Sequence, residues 1–189
     1  PQNGKREGYV YWDVLVHVLK AEGYNVERTQ NITDVGHLVS DDDSGEDKME
    51  KGARAEGVTA WDVAKKYAKV AEHEAYDMLG LIRPDHLVTA TSCIDKQIEF
   101  AKILDEKGYL YRTDDGMYFD TSKLDDYGKL AKLDIAGLEA GARVNMAGKK
   151  NPTDFAVWKF SPKDQQRDME RVSPWGKGFP GRHLECSVI

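Results

Sequence analysis

Apolar residues recur every third or fourth position in three stretches of the chain, with polar residues between them. Residues spaced in this way lie on one face of an α-helix, so each stretch predicts an amphipathic helix. Gly23 and Gly108 follow two of these stretches and are typical of helix ends, and Thr59 precedes the other as a helix-capping residue. The predicted helices run from Tyr9 to Ala21, from Ala60 to about Leu79 and from about Ile94 to Lys107.

Shorter apolar runs predict β-strands. Tyr24–Gln30 alternates apolar and polar residues after a helix and a glycine, and this order suggests the second half of a βαβ unit. Tyr109–Arg112 and Met117–Asp120 flank Asp114-Asp115-Gly116, which is the sequence signature of a β-hairpin. Asp154–Phe160 is largely apolar and predicts a buried strand that returns to the main sheet.

The apolar face of the helix after Thr59 predicts packing in a hydrophobic core, not a cofactor site. His73 lies between two glutamates on this helix, so we expect it at the surface. Lys159 ends the last predicted strand, where its side chain either extends to solvent or contacts a ligand. The apolar face consists of Trp61, Val63 or Ala64, Tyr67, Ala68, Ala71, Ala75 and Met78.

Length and composition narrow the class of protein. A chain of 189 residues with 40% hydrophobic residues suits one domain with an insertion, or two small domains. The net charge of −6 argues against non-specific electrostatic binding to nucleic acid, although it does not exclude a local basic face. No apolar stretch reaches the length of a transmembrane helix and no signal peptide is visible, so we expect a cytoplasmic protein without membrane contact. Cys93 and Cys186 form no disulfide framework and fit a reducing compartment, although the pair could bridge in principle.

The stretch Pro174–Ser187 concentrates residue types that are suited to binding. Glycines and prolines lead into it, and glycine allows a backbone to approach a ligand closely. His183, Glu185 and Cys186 are residue types that bind metals or polar substrates. The alternative is a turn that leads into a core helix, with Cys186 as a small buried apolar residue.

Thr33 and Asp34 directly follow the strand predicted at Tyr24–Gln30. Ligands of open α/β sheets bind beyond the carboxyl ends of the strands, so these two side chains are candidates for contact with substrate. The alternative is that they cap the turn or helix that follows. The acidic run after Gly36-His37 lacks the glutamate spacing of a calcium loop and predicts a solvated surface loop.

Four sequence blocks span nearly the whole chain: Gln30–Val35, Gly116–Asp120 with Asp126–Leu130, Asn151–Lys159 and Pro180–Ser187. The first resembles the Asn-Ile-Thr-Asp-Val motif of cysteinyl-tRNA synthetases, a class I aminoacyl-tRNA synthetase family. The last resembles that family's Pro-Gly-Trp-His-Ile-Glu-Cys-Ser motif. Because the blocks also occur in the family's order, the chain resembles the catalytic core of cysteinyl-tRNA synthetases.

The resemblance implies an α/β fold, namely a Rossmann-like class I synthetase nucleotide-binding core with an α+β connective-peptide insertion. Residues 1–84 would form the first part of the core, whose first strand is absent from the sequence. Residues 85–150 would form the insertion, and residues 151–189 would start the second half of the core.

The resemblance also implies a function. The family activates cysteine with ATP and transfers it to tRNA(Cys), so this chain would be a partial catalytic domain that is inactive alone. Thr33, Arg182 and His183 would bind substrate, and Gly4 would belong to the first ATP signature. Cys186 would be one ligand of a substrate-selecting zinc ion, with the other ligands expected before Pro1 and after Ile189.

Two positions depart from the family pattern. Gln2 stands where the ATP signature has histidine, and Arg182 stands where the last motif has tryptophan. Both departures favour a non-catalytic paralogue or binding module as an alternative function. A further alternative is the cysteine ligase of mycothiol biosynthesis, which shares the core but joins cysteine to an amino sugar.

Overall fold

The computed structural model describes residues 3–34, 48–133, 148–161 and 170–189. The acidic run after Gly36, His37 and Gln2 lie outside these residues. None of the helices within the described ranges is both long and apolar enough to span a membrane. The helices are α1 (Asn3–Ala21), α2 (Lys48–Glu56), α3 (Ala60–Glu72), α4 (Ile94–Glu106) and α5 (Arg182–Val188).

The helix boundaries follow the capping residues in the sequence. The Thr59 hydroxyl accepts a hydrogen bond from the Asp62 backbone N–H, and the Asp62 carboxylate accepts one from the Thr59 backbone N–H. This reciprocal capping box starts α3 as predicted. The helix continues beyond α3 as a π-helical segment at His73–Met78, and Gly108 follows α4 with a positive φ of 75°.

The strands belong to two sheets within the described residues. Strands β1 (Thr29–Ile32) and β2 (His86–Thr89) pair in parallel, with Asn31 opposite Val88. The chain between them runs through α2 and α3, which is the helical crossover that a parallel pair requires. The second sheet has the antiparallel order β3-β4-β5-β7-β6. Its strands are β3 (Leu110–Arg112), β4 (Gly116–Phe119), β5 (Phe155–Phe160), β6 (Arg171–Ser173) and β7 (Gly176–Pro180).

Two strand predictions need correction. The strand predicted at Tyr24–Gln30 begins only at Thr29, because β2 pairs with Thr29–Ile32 and Tyr24 is 65% exposed. The buried strand predicted at Asp154–Phe160 exists as β5, but its return to the parallel sheet is wrong. It pairs with β4 and β7 instead, because an apolar run predicts burial without specifying its hydrogen-bonding partners.

The apolar face of α1 is turned outward in the described structure. Val14 and Val18 are 55% and 52% exposed, whereas Val16 and Asp13 are 7% and 8% exposed. Asp13 is held inside because its carboxylate accepts a hydrogen bond from the backbone N–H of Ile82 at 2.8 Å. The apolar residues therefore form one face of α1 as predicted, but that face is exposed in the described residues.

Two hydrophobic clusters hold the sheets and helices together. The first packs α2 and α3 against Ala90 and the β7 residue Phe179. The second packs α4 and the antiparallel sheet around the fully buried Trp158. The α5 residue Leu184 belongs to the second cluster and Ile189, which follows α5, packs against the first. Helix α5 is therefore placed between the two clusters.

Candidate functional site

The carboxyl ends of the two parallel strands meet at a pair of hydrogen bonds. Asp34, which follows β1, is 9% exposed. Its Oδ1 accepts a hydrogen bond from the Thr91 backbone N–H at 2.9 Å, and its Oδ2 accepts one from the Thr91 hydroxyl at 2.5 Å. Thr91 lies in the 3-10 helix Ala90–Cys93 directly after β2. Asp34 therefore binds the 3-10 helix after the neighbouring strand, whereas the segment directly after Asp34, which the alternative prediction had it cap, lies outside the described residues.

Helix α5 carries the last sequence motif and presents its residues on two faces. Leu184 and Glu185 face inward and are 3% and 1% exposed, whereas Arg182, His183 and Cys186 are exposed. The predicted turn into a core helix is thus present. The alternative that Cys186 is a buried apolar residue is wrong, because the rotation of the helix directs its side chain to solvent.

The first and last sequence blocks lie near each other, because the charge of Asp34 acts on Glu185. Burial and then the nearby Asp34 carboxylate raise the pKa of Glu185 to about 8, while the charge of Arg182 opposes this rise. The Oε2 atom of Glu185 has no hydrogen-bond partner among the described residues. The sequence marks Glu185 only as a residue type suited to binding, and it does not mark Thr91. The available signal for Thr91 was its position three residues after the short apolar run Leu87–Val88.

The three predicted substrate residues have different neighbours in the structure. Thr33 is half-buried beside Asp34, and its hydroxyl accepts a hydrogen bond from the Asn31 side chain at 3.4 Å. The His183 ring instead packs on the Phe155 ring of β5, with 4.5 Å between the ring centroids. Arg182 is near enough to Glu185 to lower its pKa.

A cavity of about 320 Å³ runs along β1 between α1 and α3. Thr33 and Asp34 line one end of it, and its aromatic wall includes Tyr9 and Tyr76. The Tyr76 hydroxyl donates a hydrogen bond to the Gln30 side-chain oxygen at 3.0 Å, which fixes this wall to β1.

The same cavity changes the interpretation of α3. Val63 and Ala64 are buried as the core prediction requires. Further along, however, Tyr67 is 53% exposed and Met78, in the π-helical segment, is 69% exposed. The prediction of core packing is therefore wrong for the second half of the stripe, because small alanine side chains leave space between α3 and β1. The alanines that line this space are Ala64, Ala68, Ala71 and Ala75.

The described residues do not by themselves fit a zinc ion. Cys186 offers an exposed thiol on α5, and Cys93 is a second free cysteine, half-buried. Across residues 3–34, 48–133, 148–161 and 170–189, no group of three or more His, Cys, Asp or Glu side chains could hold a metal ion. Structural and catalytic zinc sites need three or four such ligands. The zinc prediction therefore rests on Cys186 alone.

Lys159 forms an internal ion pair with Asp115, so the interpretation that its side chain extends to solvent is wrong. Its Nζ lies 2.7 Å from Asp115 Oδ2 and 2.8 Å from the Tyr118 hydroxyl, and its side chain is only 12% exposed. Burial alone would lower the pKa of Lys159, but the bonds to Asp115 and Tyr118 outweigh burial and raise it. His73, by contrast, is exposed as predicted and pairs with Asp77.

The block Asn151–Lys159 is a structural anchor around Asp154. The Asp154 carboxylate is 2% exposed and accepts hydrogen bonds from Thr121, Tyr111 and Asn151. Burial alone would raise the pKa of Asp154, but these hydrogen bonds outweigh burial and hold it below its usual range. All these donors belong to the protein, so this carboxylate serves packing and not substrate binding.

The N-terminus of α1 is the predicted ATP-binding position. The helix begins at Asn3, so Gly4 lies in its first turn. The first backbone N–H groups of a helix have no partners within it and favour an anion. Gln2 precedes the described residues.

Comparison with known proteins shows which sequences this chain is similar to. Residues 2–189 match the family described as tRNA synthetases class I (C) catalytic domain. Cysteine–tRNA ligase 1 of Burkholderia lata is 55% identical over 98% of this chain and 39% of its own length. The cysteine–tRNA ligase of Zymomonas mobilis is 46% identical over 98% of this chain and 36% of its own length. That of Novosphingobium aromaticivorans is 43% identical over 100% of this chain and 38% of its own length. The chain thus spans 36–39% of the length of these relatives.

Proposed function

The chain belongs to the class I (C) tRNA synthetase catalytic-domain family, and on this premise we propose that the protein is a cysteine–tRNA ligase. The proposed reaction joins cysteine to ATP as cysteinyl-adenylate and then transfers the cysteinyl group to tRNA(Cys). Its support is the 55% identity to a relative named cysteine–tRNA ligase. The proposal concerns the whole enzyme, because the chain spans only 36–39% of the length of such relatives.

The observation that carries the proposal is the proximity of the first and last sequence blocks. Thr33 and Asp34 lie at the carboxyl end of β1, where open α/β sheets bind ligands. The charge of Asp34 raises the pKa of Glu185 on α5, so the two blocks meet at that end. We propose that Thr33, Arg182 and His183 bind the amino acid and its adenylate around this point.

The finer fold description is part of the proposal. Strands β1 and β2 with their helical crossover are consistent with the first part of a Rossmann-like core that continues past residue 84, because β2 lies at His86–Thr89. We propose that the connective-peptide insertion, predicted at residues 85–150, begins after β2 and that residues 151–189 start the second half of the core. The five-stranded sheet runs across residue 150 because β4 pairs with β5, so the insertion and the second half share one sheet.

The proposed chemistry relies on positioning and charge stabilisation. A carboxylate oxygen of cysteine attacks the α-phosphorus of ATP, the bond to the β-phosphate breaks and pyrophosphate leaves. The free N–H groups at the start of α1, near Gly4, would stabilise negative charge on the phosphates. In the second step a hydroxyl group at the 3′ end of the tRNA attacks the cysteinyl carbonyl and AMP leaves.

The test is cysteine-dependent exchange of radiolabelled pyrophosphate into ATP by the full-length gene product. We expect exchange with cysteine and little with serine. Charging of tRNA(Cys) and of an amino-sugar acceptor would then separate the tRNA ligase from the mycothiol-pathway alternative. Absence of exchange in a folded, full-length protein would contradict the proposal.

The presence of Arg182 favours a second candidate function, that of a non-catalytic paralogue. It is exposed on α5 at the position where the family motif has tryptophan. If the full-length protein shows no exchange, the variants Gln2→His and Arg182→Trp are the next measurement. Recovery of exchange in the double variant would establish loss of activity through these two positions.

A further inference from the structure

The imidazole ring of His183 packs on an aromatic side chain of the neighbouring strand. Its centroid lies 4.5 Å from that of the Phe155 ring on β5, and the two ring planes are inclined by 48°. His183 lies in the first turn of α5 and is exposed, whereas Phe155 is half-buried. A ring contact of this kind restricts the rotamers of a side chain that would otherwise have room to change them.

The backbones of β5 and α5 are held together beside this ring contact. The Gly181 N–H donates a hydrogen bond to the Val157 carbonyl oxygen at 2.8 Å. A Cβ atom on Gly181 would meet the Ala156 carbonyl oxygen, so the start of α5 lies directly against the strand. Phe155 precedes Ala156, and His183 follows Gly181 by two positions. The ring contact is therefore a consequence of the backbone positions of the strand and the helix.

Phe155 is itself fixed by a stack of aromatic rings in the antiparallel sheet. It lies opposite Phe119 of β4, with 5.2 Å between the ring centroids and 6° between the ring planes. The Phe119 ring stacks in turn on the Tyr109 ring at 5.7 Å and 5°, and Phe119 is 8% exposed. Rings that pack against each other in this way have little space to rotate. Phe155 therefore presents a fixed surface to the imidazole.

The contribution of Phe155 to packing can be separated from its contact with His183. The Phe155 side chain packs against the second hydrophobic cluster and so contributes to stability. A leucine would supply similar apolar volume there, but only an aromatic residue offers a flat ring to the imidazole. The variants Phe155→Leu and Phe155→Tyr therefore distinguish the two contributions.

We propose that Phe155 is a positioning residue of the candidate site, whose ring holds the His183 imidazole in one orientation before substrate binds. A side chain that is ordered in advance does not lose rotamer entropy on binding, so the affinity for substrate is higher. Phe155 acts through His183 and does not itself contact substrate. The inference rests on the proposed function, because it takes His183 as a substrate-binding residue.

The test is a double-mutant cycle in the full-length protein, measured by cysteine-dependent pyrophosphate exchange. Phe155→Leu should lower kcat/KM for cysteine roughly three- to tenfold, which corresponds to the ordering of one side chain on binding. Phe155→Tyr keeps the ring and should change it less than about twofold. In a His183→Ala background, Phe155→Leu should cause less than about a twofold further loss, because the residue through which it acts is gone. If His183→Ala abolishes exchange, the Kd for cysteine replaces kcat/KM in the cycle.

Phe160→Leu is the matched control. Phe160 is also half-buried, lies on the same strand and packs against the same hydrophobic cluster, but its ring contacts the Arg112 guanidinium at 4.5 Å. The control should lower the free energy of unfolding to a similar extent as Phe155→Leu. It should change kcat/KM for cysteine less than about twofold, because it leaves the contact with His183 in place.

Nuclear magnetic resonance of the imidazole protons gives a readout that does not depend on activity. The ring current of Phe155 shifts the His183 signals of the full-length wild type away from those of a solvent-exposed histidine. Phe155→Leu should remove this shift, and Phe160→Leu should retain it. The His183→Ala variant assigns the signals.

The outcomes distinguish the inference from the proposed function. Additive losses in the double variant would show that Phe155 does not act through His183 and would overturn the inference, as would equal losses in Phe155→Leu and Phe160→Leu. Wild-type His183 signals at the position of a solvent-exposed histidine would overturn it without any variant, even if Phe155→Leu fails to fold. A folded wild type with shifted His183 signals but no cysteine-dependent exchange and no cysteine binding would overturn the proposed function, and with it the role of the contact in binding.

Discussion

At the scale of single residues, Asp154 shows how a motif residue acts through structure. Its carboxylate accepts hydrogen bonds from the Thr121 backbone and hydroxyl, the Tyr111 hydroxyl and the Asn151 backbone and side chain. These groups come from β3, from the turn after β4 and from the turn before β5. One side chain therefore joins the strands that frame the centre of the antiparallel sheet.

We expect Asp154→Asn to lower the free energy of unfolding by about 2–4 kcal/mol, because an amide cannot accept all these hydrogen bonds and leaves donors unpaired. Urea denaturation at neutral pH measures the loss. Asp114→Asn, at an exposed hairpin position, is the matched control and should change stability by less than about 0.5 kcal/mol. A similar stability for both variants would contradict the anchoring role.

The pKa of Asp154 predicts a pH dependence of stability. Its folded-state pKa lies below the usual value of 3.8, so folding favours the charged carboxylate. This stability is fully present above about pH 5 and is lost as the pH falls through the lowered pKa. Asp120, whose pKa is also lowered, mainly by its hydrogen bond with Ser122, adds to the same trend. Denaturation between pH 6 and pH 2 should be less pH-dependent in Asp154→Asn; an unchanged slope would show that other groups cause it.

At the scale of elements, the capping box decides where α3 begins. The Thr59 and Asp62 side chains each accept a hydrogen bond from the other residue's backbone N–H. We expect Thr59→Ala to lower the free energy of unfolding by about 1 kcal/mol and Thr59→Ser to change it little, because serine keeps the hydroxyl. Thermal or urea denaturation compares the two variants. Equal losses in both would indicate that the threonine methyl group, and not the cap, stabilises the helix start.

The orientation of α1 gives a prediction that distinguishes its two faces. Val16 is 7% exposed and Val18 is 52% exposed, because residues two positions apart on a helix lie on opposite faces. In the 189-residue chain, Val16→Lys should lower the free energy of unfolding by about 2 kcal/mol or more, because it buries a charge. Val18→Lys should change it by less than about 0.5 kcal/mol. The reverse order would show that the apolar stripe of α1 is its buried face.

At the scale of the whole molecule, α5 depends on a close approach of two backbones. A Cβ atom on Gly181 would meet the Ala156 carbonyl oxygen of β5, and the Gly181 N–H donates a hydrogen bond to Val157 O at 2.8 Å. The glycine thus sets the position from which α5 reaches both hydrophobic clusters. The same position brings Glu185 to Asp34.

We therefore expect Gly181→Ala to lower the free energy of unfolding by at least about 2 kcal/mol, because backbone atoms cannot move aside as a flexible side chain does. The full-length protein should also lose affinity for cysteine. Gly8→Ala is the matched control: no atom lies within 4 Å of the added Cβ, and alanine favours a helix. If Gly181→Ala is as stable as the wild type, the close approach does not determine the position of α5.

Much of the local structure could be predicted because its determinants lie close together in sequence. Thr59 and Asp62 define the start of α3, Gly108 the end of α4, and Asp114-Asp115-Gly116 the turn of the hairpin. The resemblance of the sequence blocks likewise indicated the family, which the match over residues 2–189 confirms. These features depend on residue type and spacing, both of which can be read directly from the sequence.

Only the tertiary structure decided which elements pair and which faces are buried. Phe155–Phe160 could be predicted as a strand but not as a partner of β4 and β7, and the stripe of α1 could be predicted as a helix face but not as an exposed one. The contact of Asp34 with Thr91, and its proximity to Glu185, joins residues far apart in the sequence. The type of a residue determines its preference for burial or charge, whereas the packing of all the elements determines which residue it contacts. For this reason the sequence alone determined the elements and the family, and the packing of α5 determined the site.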